Sequence, residues 1–110
     1  MNKTQILYIM QNGNTSQYKI GITNDLNKRH ASLQTGCPED LHIIKIYTHY
    51  DRKKILYYER VLHRYYTKCG CRLRANGEWF DLSIADINFL CKPKGIKEQN
   101  ELMETLKEMM

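Results

Sequence analysis

Nowhere does the chain approach the roughly 20 consecutive apolar residues that a membrane-spanning helix needs, and Met1-Asn2-Lys3-Thr4-Gln5 lacks the apolar stretch of a secretory signal. A soluble, intracellular protein with no membrane partner is therefore expected, cytoplasmic, or nuclear in a eukaryote. Internal repeats and low-complexity segments are also missing, so nothing points to a repeat array. Prolines are scarce, and the two present, Pro38 and Pro93, fall where helices should stop or the chain should break. Cysteines number four in 110 residues, a length that does not need disulfide staples, and free thiols are expected in a reducing compartment. Cys69 and Cys71 are one residue apart, whereas zinc sites usually use about two to four, and only His63 and Cys91 lie near enough to complete a set. A structural zinc is disfavoured.

What is present suits one modest hydrophobic core, with 42% apolar residues and a charge surplus of 17 − 12 = 5 positive. The segment from Lys92 to Met110 carries four Lys and four Glu, so the surplus belongs to residues 1–91 and favours a polyanionic partner of that part. Two segments are expected, a domain over 1–91 and a helical tail over 92–110.

Ile6-Leu7-Tyr8-Ile9-Met10 and Tyr18-Lys19-Ile20-Gly21-Ile22 read as strands joined by the turn residues Asn12-Gly13-Asn14. Thr23 or Asn24 is expected to cap a helix of about ten residues that ends at Gly36, with Leu26 and Leu33 inward. Leu41 to Tyr47 has the β-branched and aromatic content of a third strand. From Asp51 a long helix should bury Ile55, Tyr58, Leu62, Tyr65 and Tyr66, with Arg60 and Arg64 outward. Trp79-Phe80 reads as an apolar anchor, Ser83 to Asp86 as a helix start with capping spacing and a third helix to about Cys91. Beyond Pro93 and Gly95, Leu102, Met103, Leu106 and Met110 would form the apolar face of a last helix, which either covers the core or joins two copies as a homodimer. The class expected is α+β, a small, mainly antiparallel three-stranded sheet flanked by helices, with a C-terminal helix.

Tyr8, Lys19 and Gly21 fall on strands, Lys19 and Gly21 on one face by the period of two. Arg29 and Glu59 flank the apolar stripes of their helices, where a charge needs a partner or a metal, and this suggests a shared polar pocket. Tyr18 has the other parity and is expected to pack in the core.

In order and spacing, Ile6-Leu7-Tyr8, Lys19-Ile20-Gly21, Arg29 and Glu59-Arg60-Val61-Leu62-His63 resemble the GIY-YIG nucleases over about residues 5–82. Only the Tyr of the first motif is kept, and Lys19 replaces the Tyr of the second. Lys-Ile-Gly, the Glu-x-x-x-His helix and Gly77-Glu78-Trp79-Phe80 look like a subgroup found in phages, large viruses and bacteria. Leu33 stands where the family often carries a His or Tyr, with His30 directly after Arg29.

The resemblance implies a metal-dependent DNA endonuclease, or else a catalytically inactive DNA-binding module or a protein-interaction domain. It implies that Glu59 holds Mg²⁺ or Mn²⁺, that Arg29 neutralises the phosphate, and that Tyr8 or Lys19 takes the proton of the attacking water. Tyr8 would need its pKa lowered from about 10, with Lys19 as the neighbouring positive charge. His63 joins them as a catalytic candidate, and Lys28, His30, Arg72, Arg74 and Asn76 as contacts to DNA.

Overall fold

A computed structural model describes residues 5–49, 51–74, 77–88, 90 and 97–98. Strand β1 (Ile6–Asn12) turns back into β2 (Gln17–Thr23), helix α1 (Leu26–Thr35) follows, then β3 (Leu41–Thr48) and the long helix α2 (Arg52–Lys68). Three short elements complete the order: β4 (Trp79–Asp81), α3 (Ile84–Asn88) and β5 (Lys97–Glu98). Among the described residues the sheet has five strands rather than three, in the order β4-β2-β1-β3-β5, and every pairing is antiparallel. The two added strands are short edge strands that borrow their backbone partners from β2 and β3.

Lys97 and Glu98 pair with β3, so the start of the expected C-terminal helix is strand instead. The remainder of that helix, and the homodimer contact read from it, lie outside the described residues. The third helix is also shorter than expected, ending at Asn88 among the described residues.

The β1–β2 hairpin turns through Gly13, whose φ of 56° suits a residue without a Cβ, and its N–H donates to the Asp40 carbonyl at 2.8 Å. Asp25, not Thr23 or Asn24, caps α1: its carboxylate accepts from the Lys28 N–H at 3.1 Å, while the Thr23 hydroxyl accepts from the Asp25 N–H. Asp51 caps α2 in the same way. At α3, Ser83 and Asp86 form the reciprocal box that their spacing predicts, each side chain accepting from the other's N–H at 3.0 and 2.9 Å.

Strand β1 is the middle of the sheet and is covered on both faces, with Leu7, Tyr8, Ile9 and Met10 all buried. Alternation sends Leu7 and Ile9 to one side, where α2 packs Ile55, Tyr58, Leu62 and Tyr66 over them together with Tyr18, Ile20, Tyr47 and Phe80. Tyr8 and Met10 go to the other side, with Leu41 and the half-buried Leu26, Leu33, Cys37 and Trp79. Helix α1 buries none of its residues fully, and the gap left between it and the sheet becomes a cleft.

Tyr65 departs from the expected stripe. It is 59% exposed, and its ring meets Tyr66 edge-on at the rim of the core, 5.1 Å between centroids. Tyr66→Ala is expected to cost about 3–5 kcal/mol, as for other buried aromatics, and Tyr65→Ala less than about 1 kcal/mol. Urea midpoints of the two variants, measured side by side, check the assignment.

Candidate functional site

The register of the hairpin sets Tyr8 opposite Gly21 and Met10 opposite Lys19, and β4 sets Trp79 opposite Lys19. Opposed residues in antiparallel strands share a face, so Tyr8, Lys19, Gly21 and Trp79 all point toward α1. Gly21 is required by its neighbour. A Cβ there would lie 2.5 Å from the Tyr8 hydroxyl and 2.7 Å from the ring carbon that bears it, so the phenol occupies the space a side chain would take.

That packing carries the Tyr8 hydroxyl to α1, where Arg29 Nε–H donates to it at 3.4 Å. Arg29 is exposed as a residue and lines the cleft. Because Arg29 donates to the phenol oxygen, the phenol hydrogen is not used in that contact.

Lys19 is buried, and its ammonium pairs with the Glu78 carboxylate at 2.9 Å and sits 5.7 Å from the centre of the Trp79 ring. Arg29 is a positive charge that acts on Tyr8, while the Lys19 ammonium is taken up by Glu78. Burial pushes the Tyr8 pKa up; the Arg29 hydrogen bond and charge oppose it, and the charges of Glu78 and Glu59 add to the rise.

Glu59 and His63 belong to α2, which covers the opposite face of the sheet. Among the described residues Glu59 shares no hydrogen bond with Tyr8 or Arg29, but its charge acts on Tyr8, and Glu78 and Lys19 act on Glu59. Oxygen Oε2 of Glu59 is buried with no hydrogen-bond partner, and burial, ahead of all other causes, raises its pKa. His63 lies one turn on and donates from Nε2 to the Ile20 carbonyl at 2.8 Å, because a carbonyl can only accept. That contact holds the imidazole against β2, edge-on to Phe80.

The other candidates are placed variously. Arg74 lines the cleft, and Lys28 stands with Arg29 and Ser32 around a shallower hollow at the start of α1. His30 bonds to the Leu41 carbonyl at 2.7 Å, and Arg72 Nε donates to the Gly77 carbonyl at 2.8 Å. Asn76 lies outside the described residues. The Lys19–Glu78 pair escaped the sequence, since 59 positions separate its members and only the β2–β4 register joins them.

An unpartnered buried carboxylate oxygen is the kind of donor a hard divalent cation accepts, and Mg²⁺ needs only one or two carboxylates, keeping waters for its other positions. Among the described residues no group of three or more His, Cys, Asp or Glu could enclose a metal. The described thiols of Cys37, Cys69 and Cys71 are free. Among the described residues no helix is long and apolar enough to cross a membrane.

A small antiparallel sheet with helices on both faces, carrying Tyr, Lys-Ile-Gly, Arg and Glu in this order, is broadly consistent with a GIY-YIG-like arrangement. Residues 5–98 match the T5orf172 domain, and the chain belongs to that family, which is linked to the GIY-YIG nuclease superfamily. No curated protein and no solved structure matches the chain.

The raised pKa of Glu59 has a measurable consequence. A carboxyl that ionises less readily when folded costs stability as pH rises from the ordinary glutamate value of about 4.3, and the full cost is present above its folded pKa. The stability of Glu59→Gln relative to the parent should therefore increase from acid to neutral pH. If Glu59 holds Mg²⁺, the ion should raise the Tm of the parent and leave that of Glu59→Gln unchanged, because a ligand of the folded state stabilises it. Thermal scans at acid and neutral pH, with and without Mg²⁺, test both.

Proposed function

We propose that the chain is a metal-dependent DNA endonuclease that hydrolyses phosphodiester bonds. The observation that carries the reading is the Tyr8–Arg29 contact laid over Gly21, with the unpartnered Glu59 carboxylate acting on it electrostatically. Membership of a nuclease-linked family supports it, as does the surplus of positive charge over residues 1–91.

In this reading Glu59 holds Mg²⁺ or Mn²⁺, which when bound supplies charge to the phosphate and acidifies a water. Arg29, an exposed residue, offers its guanidinium to the non-bridging oxygens, where negative charge grows toward the transition state. Its planar fork also orients the phosphate, as a lysine could not. Tyr8 is protonated in the ligand-free protein, its pKa being raised, so its hydroxyl acts first as a hydrogen-bonding group that aims the attacking water. Lys19 is the amine beside it, held by Glu78. His63 fixes α2 to β2 and so keeps Glu59 in place.

Arg74 and Lys28 extend the cationic surface on either side of Arg29 and would contact the flanking phosphates. Such contacts position a strand without reading its sequence.

Two substitutions separate metal binding from general electrostatics. Glu59→Gln should lower Mg²⁺-dependent plasmid nicking by about a hundredfold or more. Its metal-free affinity for DNA should hold or rise, because one negative charge leaves a basic surface. Arg29→Ala should weaken both binding and nicking. Glu59→Gln with undiminished nicking would contradict the assignment, and salt-sensitive binding without any nicking by the parent would make the chain a DNA-binding module instead.

A further inference from the structure

Trp79 and Phe80 are adjacent on β4, and the alternation of the strand separates them completely. Phe80 is fully buried in the α2-side core and supplies the anchor. Trp79, half-buried, faces α1 and lines a cleft of about 1000 Å³ together with Lys19, Arg29, Leu33, Asn12 and Gln17. A pocket of this size holds a nucleotide with room to spare, since small-molecule sites run from about 300 to 1,000 Å³.

The lining is of the kind that takes a nucleobase. Trp79 brings its indole ring to the wall of the cleft, and Leu33 adds apolar lining. Lys19 stands at the Trp79 ring with its charge paired to Glu78, which also lines the cleft, so the exposed Arg29 is a cation left for a phosphate attached to the stacked base. At the far rim Asn12 donates through its amide to the Gln17 carbonyl at 3.2 Å, which uses one donor and one acceptor of the pair. The Asn12 carbonyl accepts from the Cys37 thiol at 3.6 Å, a weak bond, and the exposed Gln17 amide nitrogen keeps its donors. Such groups read the edge of a base that has left its helix.

We propose that the cleft is a subsite for one unpaired nucleobase, stacked on Trp79 and next to the phosphate held by Arg29. A base still paired in a duplex cannot enter it, so the preferred DNA carries a bulged, mismatched or single-stranded nucleotide beside the target bond. The inference rests on the endonuclease reading for the identity of the ligand as DNA, and the stacking itself requires no catalysis.

Trp79 is the sole tryptophan of the chain, so its fluorescence reports on this cleft alone. In buffer with EDTA, where a metal-dependent site is silent, the protein is titrated with duplexes that differ only at the centre: fully paired, with one unpaired thymidine, or with an abasic residue in its place. The unpaired thymidine should quench the fluorescence and bind about tenfold more tightly than either control, the gain expected of one base stacked on an aromatic ring. The abasic duplex is as flexible but has no base, and so isolates stacking from deformability.

Labelled-DNA anisotropy extends the comparison to variants. Trp79→Ala and Gln17→Ala should each reduce the preference and leave affinity for paired duplex unchanged. Gln17→Ala is an exposed substitution, which keeps the test decisive if Trp79→Ala fails to fold. Equal affinity for the three duplexes without quenching would overturn the subsite and make Trp79 a packing residue only. If paired DNA is at the same time nicked with Mg²⁺, the endonuclease reading stands without the subsite; if no DNA is bound at low salt, both fall.

Discussion

The phenol of Tyr8 rests in the space above Gly21 that a Cβ would fill, and the geometry of the candidate site depends on that contact. Were the ring held away from β2, its hydroxyl would lose the line along which Arg29 reaches it from α1. The contact exists because the hairpin pairs position 8 with position 21, and the turn at Gly13 helps to hold that pairing. A slip of one residue would turn Tyr8 into the α2-side core and bring Leu7 or Ile9 to the cleft. The register that packs the core therefore also builds the site.

The same alternation gives the two faces different work. Toward α2 the sheet is apolar, with Ile20, Phe80 and Tyr18 under the long helix. Toward α1 it carries Tyr8, Lys19 and Trp79 beneath a helix that buries no residue fully, and the cleft forms there. Burial raises the pKa of both Tyr8 and Glu59, and the Glu78 charge adds to each, so added positive charge at this place relieves both groups. Arg29 lowers the pKa of Tyr8 and Lys19 that of Glu59, and a divalent cation would add to both effects.

Much of this was legible in the residues. The 3.6-residue period of α2 identified Ile55, Tyr58, Leu62 and Tyr66, but it also claimed Tyr65, which is about 100° around the helix from Tyr66 and stays in solvent. Strands β4 and β5 were illegible as strands because three and two residues carry no periodic signal; pairing to β2 and β3 makes them. Thr23, Asn24 and Asp25 are all capping residue types, and composition could not choose among them. Spacing alone put Lys19 and Gly21 on one face, the family resemblance added Tyr8 and Arg29, and neither joined Lys19 to Glu78, since no local rule links a residue in a hairpin to one in a later loop. The orphaned oxygen of Glu59 was foreseeable only as a charge at the edge of an apolar stripe.

The most direct test of the central claim, that a divalent cation is held at Glu59 within reach of Tyr8 and Arg29, is paramagnetic broadening by Mn²⁺ in the NMR spectrum of the isotope-labelled protein. Substoichiometric Mn²⁺ should broaden first the resonances of Glu59, Tyr8 and Arg29, and excess Mg²⁺ should restore them. Broadening that instead spreads evenly over the exposed carboxylates, or that centres on Cys69 and Cys71 while the Tyr8 and Glu59 signals stay sharp, would contradict the account.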